Sequence, residues 1–125
     1  VIMLISELIE RIKKDGSDIV NVSSTTGVVG KKDQIVYGAS KWAVRGVTSS
    51  LQVELKNYPS RVISFCPGGF ESKIFEKAAG FNNDVAKGPM IAAKDMALCL
   101  KQILDLPKNM EVSEIIINRK QVKTD

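Results

Sequence analysis

Asp18-Ile19-Val20-Asn21-Val22-Ser23-Ser24, followed thirteen residues after Ser24 by Tyr37-Gly38-Ala39-Ser40-Lys41, decides how this sequence of 125 residues folds. The first stretch is short, β-branched and without polar alternation, which predicts a strand covered on both faces, as in a parallel sheet. Ser23, Ser24, Thr25, Thr26 and Gly27 end it. The second stretch opens a helix predicted over 35–56, which sets Tyr37 and Lys41 one turn apart on the same face. Hydroxyls at the carboxyl end of a parallel strand stand where open α/β sheets bind their ligands.

Outward from this pair, the periodicity alternates. Upstream, Ile2, Ile5, Leu8, Ile9 and Ile12 recur at helical spacing with charges between them, and Asp15-Gly16 supplies a stop, so a helix is predicted over 2–14. It starts without a capping residue. Within 35–56, Val36, Ala43, Val47, Leu51 and Leu55 form an apolar stripe, beside a second stripe of Ala39, Trp42, Gly46, Ser49, Ser50 and Val53. The second stripe suits either packing inside the chain or a subunit interface, because small side chains let another helix approach closely. After Pro59, Arg61 to Cys66 reads as a second buried strand ended by Pro67-Gly68-Gly69. A helix over 92–104 with Met96, Ala97, Leu100 and Leu104 inward, and a strand over 114–118, complete the order. Between them, 71–79 reads as a short helix within an irregular segment, 70–90, of the sort that closes over a sheet as a substrate loop. Strands alternating with helices imply an α/β fold with a parallel sheet.

Composition narrows the function classes. With 44% hydrophobic and 26% charged residues the sequence is that of one globular domain. The net charge of +4 is spread over pairs such as Lys13-Lys14, Lys31-Lys32 and Arg119-Lys120 among acids, which argues against a nucleic-acid surface. No apolar run is long enough for a bilayer, so no membrane partner is expected. There is no histidine, and Cys66 and Cys99 lack a Cys-x-x-Cys spacing; no metal site is expected, and a reduced, cytoplasmic location is.

The chemistry concentrates at three side chains. An ammonium one turn from a phenol favours the ionised phenol, the condition for proton transfer near neutral pH, and a hydroxyl from Ser24 would hold a carbonyl or alcohol oxygen beside it. Asn21-Val22-Ser23-Ser24, then Tyr37-Gly38-Ala39-Ser40-Lys41, then Pro67-Gly68, in this order and at these spacings, resemble the carboxyl-terminal half of a compact short-chain dehydrogenase/reductase. The resemblance covers nearly the whole chain and implies an NAD(P)-dependent oxidoreductase that moves hydride between nicotinamide and an alcohol or carbonyl substrate. It implies Tyr37 as the proton-transfer residue, Lys41 as its electrostatic partner and a ligand of the nicotinamide ribose, Ser24 as the group that orients the carbonyl, and Ser23 in support. Pro67, Gly68 and Ser72 resemble the segment that meets the nicotinamide carboxamide, with serine where threonine is more frequent. NAD or NADP is the implied cofactor.

The same resemblance implies a fold: residues 1–125 as the carboxyl-terminal part of a single Rossmann-like domain, a partial doubly wound sheet of about three strands with flanking helices. The amino-terminal half, with its glycine-rich phosphate loop, is expected to be lacking, since no Gly-x-x-x-Gly-x-Gly pattern occurs. The strand at 18–22 would then have an open edge. A homo-oligomer through helices 2–14 and 35–56 is implied too. The oxidoreductase is then represented by a fragment expected to be weak or inactive alone; the alternative is a non-catalytic self-associating module derived from the same family. A sugar-nucleotide epimerase of the extended branch is disfavoured by the short tail after the third strand. Lys31, Lys32, Lys73, Lys77 and Lys87 could flank the entrance for an acyl-carrier-protein substrate, but read better as solvated side chains.

Overall fold

The structure, a computed structural model, describes residues 1–74 and 88–120. Helix α1 (Ile2–Asp15) leads into strand β1 (Ile19–Val22), a turn of 3-10 helix (Thr25–Gly27), helix α2 (Ile35–Glu54), strand β2 (Val62–Pro67), helix α3 (Ala93–Leu104) and strand β3 (Glu114–Ile117). The three strands form one sheet in the order β1-β2-β3, parallel throughout, with Val22 beside Phe65 and Pro67 beside Ile117. The predicted α/β architecture is present, with element ends within two residues of those expected. The 3-10 turn leaves no separate sign in the sequence, being a single turn too short for periodicity to register.

β2 is buried along its full length because it lies between the other two strands, whereas β1 and β3 each have one strand neighbour among the described residues. Ile19, Val62, Leu51 and Leu55 make the core between sheet and helix, with Ile5, Ile9, Ile12 and Val47 packed against it. Fully burying a side chain such as Leu55 is worth about 2 kcal/mol. α1 ends at Gly16, whose φ of 64° is the left-handed conformation that terminates a helix and whose N–H bonds Ile12 O. Ser60 donates to the same carbonyl at 3.0 Å, tying the end of α1 to the start of β2.

Two apolar stripes differ from their predicted faces. On α2, Val36 is 83% exposed and Ala43 is exposed, while the buried line runs through Gly38, Thr48, Leu51 and Leu55. The first turns of α2 overlie the 3-10 turn rather than the sheet, and the buried Gly38 faces Thr26 there. Thr48 is buried by hydrogen bonds, accepting from Asn21 Nδ2 at 3.0 Å and donating to Val44 O at 2.7 Å. On α3, Met96 and Ile103 are buried, whereas Ala97 and Leu104 are exposed, a rotation of about one position from the predicted stripe. Most of the helix predicted at 71–79, and residues 121–125 of the tail, lie outside the described residues.

One ion pair was not anticipated. Arg61 opens β2 with its side chain 4% exposed and donates to Asp18 at 2.7 Å and to the carbonyls of Leu104, Leu106 and Met110. Lys108 reaches the same carboxylate at 2.8 Å. Burial would raise the pKa of Asp18, but the hydrogen bonds from Arg61 and Lys108 outweigh it and lower it to about 2. The guanidinium therefore joins the start of β1 to the end of α3 and the loop that leads to β3.

Candidate active site

The strand end that the sequence marks with hydroxyls is fixed by reciprocal bonds with α2. Ser23 Oγ donates to Lys41 O at 2.8 Å, and Lys41 Nζ reaches back to Val22 O at 3.2 Å. Gly27 permits this approach: a Cβ there would stand 2.4 Å from Ser23 Oγ and 2.8 Å from Lys41 O. Ser23 thus supports the site by holding the backbone of Lys41 rather than by lying free in the cavity.

Ser24 caps the 3-10 turn, its Oγ accepting from Thr26 N at 3.1 Å. A hydroxyl that accepts in this way keeps its own hydrogen to donate, and the backbone bond both orients and polarises it. On α2, Lys41 Nζ lies 5.7 Å from the centroid of the Tyr37 ring. The one-turn spacing thus brings charge and phenol together. Thr26 Oγ1 donates to Gln34 Oε1 at 2.9 Å, fastening the entry of α2 to the same turn.

β2 supplies the opposite wall. Gly68 N donates to Ile117 O at 2.7 Å, so the chain leaves β2 still bound to β3, and a Cβ on Gly68 would come within 2.8 Å of that carbonyl. Phe70 then pairs with Ile91 as an isolated parallel bridge, with Glu71 N on Ile91 O and Ile91 N on Gly69 O. This short pairing directs the chain toward Ser72, whose Oγ accepts from Ile74 N at 3.4 Å.

Ser24, Tyr37, Lys41, Pro67, Gly68 and Ser72 all line one cavity of about 190 Å³ at the carboxyl ends of β1 and β2. Every site residue singled out in the sequence is brought into it. Thr25, Thr26, Lys31, Gln34 and Phe70 line it as well and were not singled out as site residues. The threonines carried a signal, since they continue the hydroxyl run; Lys31 resembled any solvated lysine, and it stays exposed while its ammonium reaches Thr25 at the cavity. Among the described residues there is no group of three or more side chains suited to a metal ion, both cysteines are free, and no helix is long and apolar enough to cross a membrane.

The donor set suits a nicotinamide nucleotide. An ammonium carries three N–H groups, and among the described residues Lys41 Nζ gives one hydrogen bond, on Val22 O, which leaves donors for a ribose diol. Backbone at Pro67-Gly68 and the hydroxyl of Ser72 offer partners to a carboxamide.

Comparison with known proteins gives consistent matches. The family described as short chain dehydrogenase matches residues 1–82. An oxidoreductase of Thermotoga maritima is 44% identical over 66 residues, which are 52% of this chain and 26% of that protein. Trans-4-hydroxycyclohexanecarboxylate dehydrogenase of Sinomonas cyclohexanicum is 39% identical over 61 residues, 49% of this chain and 24% of that one. Among solved structures, a short-chain dehydrogenase/reductase from Vibrio parahaemolyticus superposes with a TM-score of 0.75 at 31% identity, covering 96% of this chain and 52% of that one. The chain thus spans about half the length of that structure.

Proposed function

Because the chain belongs to the short-chain dehydrogenase family, we propose that it forms the substrate and nicotinamide side of an NAD(P)-dependent oxidoreductase acting on an alcohol or carbonyl compound. The observation that carries this reading is the convergence of Ser24, Tyr37 and Lys41 in one cavity with Pro67, Gly68 and Ser72. The nicotinamide ring, when bound, supplies the carbon that accepts or gives hydride. Tyr37 exchanges a proton with the substrate oxygen through its phenol oxygen, and the ammonium of Lys41 stabilises negative charge as it develops there. Ser24, with its acceptor side engaged by Thr26 N, donates to that same oxygen and fixes its position. Lys41 also holds the ribose. Segment 70–90 selects the substrate, with residues 75–87 outside the described part.

The same reading makes residues 1–125 part of a single dinucleotide-binding domain in a cytoplasmic protein. It assembles as a homo-oligomer through α1 and α2, a role supported by the exposed Ile2, Met3, Leu4, Trp42 and Val53 on those helices. Light scattering coupled to gel filtration would read the assembly, and a monomer would count against it.

The catalytic reading is tested with Tyr37→Phe, assayed over a panel of secondary alcohols and ketones with both nicotinamide nucleotides. Turnover should fall by about 10²–10⁴-fold, the range of a lost general acid-base group. NADH or NADPH fluorescence titration should be little changed. Retained turnover would remove Tyr37 from the mechanism.

A further inference from the structure

Lys31 lines the same cavity as Tyr37 and Lys41, and the proton-transfer scheme does not use it. Among the described residues its ammonium makes one hydrogen bond, to the neutral hydroxyl of Thr25 at 3.1 Å. Among the described residues, the cavity lining contains two lysines and neither aspartate nor glutamate. An ammonium in a cleft without a counter-charge favours an anion, more strongly as the ligand excludes water from between them. The loop is held in place on both sides of this residue. Gln34 N bonds Lys31 O at 3.3 Å, and Gln34 is itself fastened by Thr26. The backbone of Lys31 is thereby fixed relative to Ser24 and Tyr37, so its reach into the cavity is set by the fold.

We propose that Lys31, together with Thr25, is a specificity-determining site for a carboxylate on the substrate, so that the enzyme takes hydroxy- or oxo-carboxylic acids in preference to neutral alcohols. The inference rests on the catalytic reading of Tyr37 for its placement. A carboxylate fits the donors. The Thr25 hydroxyl accepts from Lys31 and keeps its own hydrogen, so ammonium and hydroxyl together offer one donor to each carboxylate oxygen. Of the five lysines that might have flanked an entrance, Lys31 lines the cavity and Lys32 and Lys73 do not, while Lys77 and Lys87 lie outside the described residues.

The test uses this 125-residue chain and two probes with the same carbon skeleton and the same secondary alcohol, 3-hydroxybutanoate and 1,3-butanediol, titrated by ligand-observed NMR at low ionic strength. The acid should bind about tenfold more tightly than the diol, the size of one well-placed charge pair. Lys31→Gln should erase that preference without weakening the diol, and Lys31→Arg should keep it. Equal affinity for the two probes, an unchanged preference in Lys31→Gln, or no saturable binding of either would each overturn the proposal. The catalytic reading is separable. Tyr37-dependent turnover of neutral alcohols without carboxylate preference would sink the specificity assignment alone. Lys31-dependent carboxylate binding without Tyr37-dependent turnover would uphold the anion site and count against catalysis.

Discussion

Gly27 is where the end of β1 and the helix that carries Tyr37 and Lys41 come closest, and an absent methyl group keeps the two together. Its Cβ position lies well inside contact distance of Ser23 Oγ and Lys41 O, so Gly27→Ala forces either the serine hydroxyl or the helix backbone to move. Overpacking of this kind costs about 1–3 kcal/mol. A urea titration should show a matching drop in midpoint stability, and any nicotinamide binding should weaken with it as Lys41 shifts; an alanine variant as stable as the parent would show that the turn yields freely. At this scale the sequence was informative about chemistry. Ser24, Tyr37, Lys41, Pro67, Gly68 and Ser72 were legible because they form ordered motifs. Lys31 was not, because a lysine's reach depends on where its loop is folded, and Gly27 read only as the end of a strand.

Among the elements, α2 is held to β3 as well as to β1. Arg45 donates to both carboxylate oxygens of Glu114 at 2.8 Å and to Gly27 O at 2.8 Å, with its guanidinium 5.2 Å from the Trp42 ring. The hydrogen bonds from Arg45 hold the Glu114 carboxyl below its ordinary pKa, against the opposing effect of burial. Both side chains keep some solvent contact, so a double-mutant cycle of Arg45→Met and Glu114→Gln should give a coupling of about 1 kcal/mol, diminished by salt. Zero coupling at low salt would make the pair incidental. The sequence placed both elements but not their partnership, since Arg45 and Glu114 are 69 residues apart. It also misjudged which faces of α2 and α3 are covered. Apolar periodicity cannot see that Thr48 is buried by hydrogen bonds or that Gly38 is covered by the 3-10 turn.

For the whole molecule, the Arg61–Asp18–Lys108 cluster joins the sheet to the end of α3 and sets an acid limit. The Asp18 pKa is lowered from 3.8 to about 2, so the stability from its ionised form is present above about pH 4 and is lost as the pH falls from there through about 2. That contribution is on the order of 2 kcal/mol at neutral pH. Asp18→Asn leaves Arg61 buried without its principal counter-ion, a loss of about 3 kcal/mol at pH 7, and the two proteins should converge in stability below pH 2. Parallel stability curves across that range would remove Asp18 as the acid-sensitive group. The sequence by itself determined the parallel α/β order, the ends of most elements, the family and the motif residues Ser24, Tyr37, Lys41, Pro67, Gly68 and Ser72, because strand and helix periodicity and short ordered motifs are local properties of the chain. Only the tertiary structure decided which helix faces are covered, that Arg61 is a buried clamp, that Ser23 and Gly27 hold the helix to the strand end, and that Lys31 reaches Thr25 at the cavity. Each of these depends on distance and burial between residues far apart in sequence, and neither propensity nor spacing encodes them.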